Sequence, residues 1–346
     1  MPAGAFGQTR QYIVTELSAE EAHAVPCKLN NLGDVVGRTG GALEGKTRAA
    51  IWNRSNFKSK HLAPSVDGDY SSALDINDLG DIAGASNTGT GLIPFVWAAQ
   101  DGAHTIQLLP GDSCGQATAI NKHGDVVGYS SGRTGAKAFL WRRQTGVRNL
   151  GVLSGGSYST ARDINDSGEV AGMSDSPNGK RAVLWTKRGN VVDLGTLPGD
   201  WESEAIAINN HGEIVGNSKG PRGTRAFFWS SGGGMEEAGV LPGGTSSRAM
   251  DINDRGEVVG SSTSASGDHA FVWTKRAGIV DLNNADVPDP GFVFIEAHAI
   301  NAQGQILVMG ASAHDVAMSG APALGNVQIC APAPPSSFLL TPARQP

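Results

Sequence analysis

"ARDINDSGEVAG", residues 161–172, places Asp163, Asn165, Asp166, Ser167 and Glu169 around a single glycine, Gly168. Such a run is either a calcium loop or a turn between two strands. A calcium loop needs oxygen ligands at alternating positions and a late carboxylate. The rest of the chain decides between the two, because the stretch is one of seven copies. The others are LNNLGDVVG from residue 29, INDLGDIAG from 76, INKHGDVVG from 120, INNHGEIVG from 208, INDRGEVVG from 252 and INAQGQILV from 300. Across the copies the Ser167 position becomes Leu, His or Arg, the late position is apolar, and Asp163 becomes Ala119, Ala207 and Ala299. What persists is Asn-x-x-Gly. That pattern fits a hairpin turn in which Asn caps the start and Gly takes the positive-φ position.

The repeated asparagines are 30, 77, 121, 165, 209, 253 and 301, and four of the six spacings are 44 residues. A tryptophan follows about 20 residues later at positions 52, 97, 141, 185, 229 and 273. Next comes an apolar segment that often ends in Leu-Gly, then a PGG- or PGD-like loop leading to the next A-x-x-I-N. Each unit therefore holds four short apolar runs bounded by turn residues: strand A (AxDIN), B (EVVGxS), C (AFLW) and D (VVDLG). Four strands in about 40–45 residues is the mark of a propeller blade.

QYIVTEL, residues 11–17, reads as a strand D without a blade, and SFLLTP, residues 337–342, as a strand C without a D. The two ends complete one blade and close the ring, which removes exposed sheet edges. The expected fold is all-β: one seven-bladed β-propeller over residues 11–342, four antiparallel strands per blade, the N-terminal strand closing the last. Residues 1–10 and 343–346 are short tails. An Ala/Pro-rich insert at roughly 309–335 stretches the last B–C loop.

The strand C run DHAFVW (268–273), the stretch DLGTLPGDWESEAIAINNHGEIVG (193–216) and the terminal SFLLTP resemble the HAF-repeat family of bacterial proteins. The resemblance spans about residues 11–342. It implies an often extracellular repeat protein and brings no catalytic residues with it. No Trp-Asp ends strand C, so the WD-repeat pattern is absent.

Composition narrows the function classes. A net charge of −6 disfavours nucleic acid as a partner. No stretch approaches the ~20 apolar residues of a membrane span. The N-terminus shows no charged head with a long apolar run, so the default reading is a protein that stays in the cytoplasm, against the extracellular setting the resemblance suggests. Cys27, Cys114 and Cys330 are far apart and odd in number, which points to buried small apolar residues rather than a disulfide framework or metal cluster. No cofactor and no metal site are expected.

Two enzyme-like motifs fall to the repeat. GGALEGKT, residues 40–47, matches the phosphate-loop pattern, but the RAAIW that follows aligns with strand C where a helix is required. GYSSG, residues 128–132, matches the nucleophile elbow, yet Gly-x-Ser ends strand B in five successive repeats. A basic residue stands four before most of the tryptophans: Arg48, Lys137, Arg181, Arg225 and His269. These face either an anionic ligand or inter-blade carboxylates such as Asp75, Asp163 and Asp251. The tryptophan series itself reads as core.

Residues that break the repeat carry the functional signal. The D–A and B–C loops share one rim. There Trp201 is the tryptophan outside the strand C series, flanked by Asp200, Glu202 and Glu204, with Tyr158 one blade away. Such a group can stack on a sugar, dock a partner, or form a lid over a blade junction. The candidate binding residues are Tyr158, Trp201, Glu202, Glu204, Arg181 and Arg225. The expected function is a non-catalytic binding or scaffold module presenting one loop rim to a ligand or protein partner, with carbohydrate among the ligands. The alternative is a carbohydrate-active hydrolase or lyase with its site at the central rim.

Overall fold

The computed structural model describes residues 11–17, 24–40, 46–62, 68–89, 91–286, 291–312 and 336–343. They form seven four-stranded antiparallel sheets. Blade 4 shows the pattern, with strands Ser159–Ile164, Val170–Ser176, Gly179–Trp185 and Val191–Asp193 running from inside to outside. The seven A strands form the inner ring, each packed on the A strands of both neighbouring blades. In chain order they are Ala24–Leu29, Ser71–Ile76, Asp112–Ile120, Ser159–Ile164, Glu202–Ile208, Ser247–Ile252 and Phe292–Ile300. Among the described residues, the one helical element is a single 3-10 turn at Leu282–Asn284.

The closing strand lies where the two chain ends predict it. Tyr12–Glu16 pairs antiparallel with Ser336–Pro342, in register from Tyr12 opposite Pro342 to Glu16 opposite Phe338. Leu17 N–H donates to the Ser337 carbonyl at 2.8 Å, and Tyr12 is buried in the cluster that joins blades 6 and 7. Seven such clusters occur, one at each blade junction. The junction of blades 3 and 4, for example, packs Val127 and Leu140 against Ile164 and Trp185. The strand C tryptophans serve these junctions: Trp52, Trp185 and Trp273 are buried, while Trp97, Trp141 and Trp229 are half-buried.

The opening stretch is a turn. Asn165 Oδ1 accepts the N–H groups of Ser167 and Glu169, both at 3.0 Å, and Gly168 has φ +80°. Only a residue without Cβ adopts that φ cheaply. Asn165 Nδ2 donates to the carboxylate of Glu169 at 3.0 Å and to the backbone carbonyl of Asn209, on the next blade, at 3.2 Å. The same interblade bond recurs seven times, from Asn30 to Asn77 and onward to Asn301, which donates back to Asn30. Seven buried amides thus close a hydrogen-bonded circle.

The glycine expected to end strand B is instead the third residue of most B strands, and close approach sets it. A Cβ at Gly172 would collide with the Thr160 carbonyl of strand A and stand 2.9 Å from the Trp185 ring. The serine two residues later is structural as well. Ser130, the GYSSG serine, accepts the Leu109 N–H at 3.0 Å and donates to Asp112 at 2.6 Å inside a β-strand. Residues 41–45 of GGALEGKT lie outside the described residues, and Thr47–Trp52 is a strand. Residues 313–335 of the insert also lie outside them. Cys27 is disulfide-bonded, which corrects the expectation of a plain buried thiol, whereas Cys114 is free and half-buried.

Candidate binding mouths of the central channel

Every A strand carries a β-bulge at the same place, two to four residues before the ring asparagine. A bulge leaves one residue without a cross-strand partner and re-aims its side chain. The extra residues are Cys27, Leu74, Thr118, Arg162, Ile206, Met250 and His298. The repeat holds the bulge constant and leaves its side chain free to vary.

On blades 4 to 7 two of these bulge residues, Arg162 and His298, join charged residues five before the ring asparagine, Glu204, Arg248 and Glu296, in a charged arc toward the D–A end of the strands. Arg162 Nη2 lies 3.8 Å from Glu204 Oε2 of blade 5. Arg248 stands on strand A of blade 6 at the position of Glu204. On blade 7, His298 Nδ1 is 3.5 Å from Glu296 Oε1. The His298 side chain is only 10% exposed, and its Nε2 is buried without a hydrogen-bond partner. A buried polar atom left unpaired costs free energy, about 1–3 kcal/mol, and is a place where a ligand group can bind. The same levels of blades 1 to 3 hold Val25, Cys27, Ser72, Leu74, Gln116 and Thr118, none of them ionised.

Of the six residues singled out by sequence, the structure brings Glu204 to this arc, while the backbone of Tyr158 is held within its own blade by Asp175 and Ser174. Burial pushes the Tyr129 hydroxyl up against the opposing charge of Arg162, and Cys114, Tyr158 and Tyr70 are the other ionisable groups around it. Trp201 stands apart on the rim with 49% of its surface exposed. Its backbone is fixed: its N–H donates to Lys219 O at 3.0 Å, and its carbonyl accepts Arg181 Nη1 at 2.8 Å. Glu202 is half-buried opposite Lys219 at the start of the same strand. Arg225 donates to the Thr245 carbonyl and pairs with Glu237 at 3.1 Å.

Four of the five basic residues before the tryptophans therefore hold loops, whereas His269 meets Asp281 at 2.6 Å. Arg48, Lys137, Arg181 and Arg225 each donate to a carbonyl 20 residues on, in the D–A loop entering the next blade. Their expected partners, Asp75, Asp163 and Asp251, are engaged elsewhere, which corrects that pairing. A cation reaching a loop carbonyl leaves no signature in the sequence of the loop. His298, Arg162, Arg248 and Glu296 were not legible as site residues because they lie inside the A strands and not on the loops that break the repeat. Their signal is variation at two fixed distances before Asn, three for Arg162 and His298 and five for Arg248 and Glu296.

The opposite, A–B mouth is built differently. A cavity of about 190 Å³ is lined there by the seven ring asparagines, by Lys28, Asp75 and Asp251, and by Asn31, Asp78, Lys122, Asp166, Asn210 and Asp254. These outer residues bond sideways to the next blade, as in Asn210 N–H to Asp254 at 2.8 Å and Lys122 N–H to Asp166 at 3.1 Å. Among the described residues, no group of three or more His, Cys, Asp or Glu side chains is placed to hold a metal ion. No helix among them is long and apolar enough to cross a membrane.

No family model matches the chain, and no curated protein matches it. Solved structures do. A streptogramin B lyase structure shares 13% identity at a TM-score of 0.58, over 96% of this chain and 98% of that one. Virginiamycin B lyase from Staphylococcus aureus shares 11% at a TM-score of 0.58, over 95% and 99%. YCF48 bound to D1 peptide shares 11% at a TM-score of 0.53, over 96% of each chain. At these identities the likeness extends to the propeller fold alone, and one fold hosts many functions.

Proposed function

We propose that this chain is a non-catalytic binding propeller of the HAF-repeat family that presents its D–A rim and the adjoining channel mouth to a ligand or protein partner. The carrying observation is the charged arc of Arg162, Glu204, Arg248, Glu296 and His298, which only blades 4 to 7 possess and which the repeat does not require. Exposed Trp201 gives this side a flat apolar surface, and the partly exposed side chains of Arg162, Glu204 and Glu296 give it polar contacts. A sugar ring offers both complements, an apolar face and hydroxyl groups. One fold neighbour is described with a bound peptide, and two are lyases.

The test is a thermal-shift panel of neutral and anionic oligosaccharides and short peptides. A ligand at a hundredfold excess over its Kd stabilises by about 2.7 kcal/mol. The expected result is a stabilising ligand whose effect is lost in both Trp201→Ala and His298→Ala. A ligand effect untouched by either variant places the site elsewhere.

The alternative, a carbohydrate-active hydrolase or lyase, draws on the acid–base couple of Glu296 and His298. Product formation from the same oligosaccharides, abolished in Glu296→Gln, would favour it over pure binding.

A further inference from the structure

Two residues before each ring asparagine, the seven inner strands bring one side chain apiece to a common level. The set is Lys28, Asp75, Ala119, Asp163, Ala207, Asp251 and Ala299. The aspartates stand on alternate blades, and each reaches across its junction. Asp75 accepts the Ile120 N–H at 2.8 Å, Asp163 that of Ile208 at 2.9 Å and Asp251 that of Ile300 at 2.9 Å. They stitch blade 2 to 3, 4 to 5 and 6 to 7, and in each case the receiving blade carries an alanine at this level.

The charges do not balance. Lys28 Nζ is committed to Asp251 Oδ1 at 2.6 Å. Among the described residues, no cationic nitrogen lies within salt-bridge distance of Asp75 or Asp163. The charged groups facing this level are Lys28, the three aspartates themselves and, at the mouth, Asp78, Lys122, Asp166 and Asp254. Three buried carboxylates thus share the field of one ammonium, Asp75 and Asp251 lining the polar cavity with Lys28, and Asp163 buried beside it, where isolated charge is costly.

We propose that this layer is a proton-operated brace: Asp75 and Asp163 each take up a proton, the channel loses its excess negative charge, and the junctions of blades 2 with 3 and 4 with 5 tighten. A neutral carboxyl still accepts the isoleucine N–H through its carbonyl oxygen, so the stitch survives while the repulsion ends. Burial pushes Asp75 up to about 7 and Asp163 up to about 6, each against the attraction of Lys28. For Lys28, burial pulls the ammonium down, and the charges of Asp251, Asp163 and Asp75 outweigh it, leaving it raised. Carboxyls raised in the folded state bind protons that the unfolded chain releases near pH 4. Their stabilisation is fully present below that pH and is lost as pH rises through about 6 to 7.

Melting is measured from pH 5 to 8 at constant ionic strength for the wild type and for Asp75→Asn/Asp163→Asn. Asparagine keeps one acceptor oxygen for the cross-junction N–H, gives up the bond to the N–H of the following isoleucine, and removes the charge. The wild type is expected to lose roughly 3–6 °C across this range relative to the variant, which melts higher at pH 8. Parallel curves would overturn the brace. If the variant does not fold, wild-type NMR gives the answer: the Ile120 and Ile208 amide shifts titrate between pH 5.5 and 7.5 if the brace exists, and titration confined below about pH 5 overturns it. Millimolar magnesium or calcium at pH 8 should leave the melt unchanged. A rise matching that produced by acid would show that a cation, and not a proton, discharges the layer.

Discussion

At the A–B mouth each blade contributes the same asparagine in the same pose, joined to the next by the same bond. Three residues upstream on the same strands, the bulge positions carry seven different residues, from Leu74 to Arg162 to His298. The strands are shared, so the difference lies in what the fold demands of each level. The turn needs one side chain that accepts two N–H groups and donates across the junction, and asparagine meets that need. The bulge needs only an extra residue. Structural duty holds the first level uniform, and its absence leaves the second free for recognition.

The largest perturbation removes the ring's closure. Deleting residues 1–17 strips Tyr12–Glu16 from its ladder and opens an edge along Ser336–Pro342. A fall in Tm of more than ~10 °C, or oligomers on size exclusion, is expected. A monomer with an unchanged melting curve would break the account of closure. Within the ring, Asn165→Ala leaves two turn N–H groups without partners and removes the interblade bond to the Asn209 carbonyl, which keeps only the Gly212 N–H. The expected cost by denaturant titration is about 2–4 kcal/mol, and a loss under ~0.5 kcal/mol would reduce the circle to ornament. At the other level, Trp201→Ala should shift Tm by no more than ~1 °C yet weaken ligand binding about tenfold or more, read by titration calorimetry. A large stability loss would instead make Trp201 a lid over the blade junction. Smallest of all, Asp166→Asn should change stability by less than ~0.5 kcal/mol. No calcium heat should appear in either form, and a calcium affinity lost in the variant would overturn the turn.

The blade plan was legible because its landmarks are obligatory. Asn-x-x-Gly appears wherever strands A and B join, and the orphan strands at the two ends, QYIVTEL and SFLLTP, pair as their shortage of partners implies. The bulge was hidden. A-x-x-I-N reads as simple alternation, and only the pairing register shows Arg162 to be an extra residue between Ala161 and Asp163. The alternation of Asp and Ala at the channel level was visible in the copies. Its meaning was not, because it depends on which blade each carboxylate reaches across to. Loop carbonyls that hold Arg181 and Arg225 are backbone atoms with no residue preference, so sequence offered carboxylates as partners instead. Trp201 was read from its departure from the series, and its exposure agrees with that reading.

The circle of asparagine amides also makes blade number discrete. Every amide donates in the same rotational sense, so the chain of bonds has no first or last member and each link polarises the next. A linear stack of repeats can gain or lose a unit at its end at little cost. This ring has no end at which to do so: an added or deleted copy would have to change the angle at all the remaining junctions together. Variation in this architecture is therefore channelled into substitution on a fixed frame of seven, above all at the bulge residues.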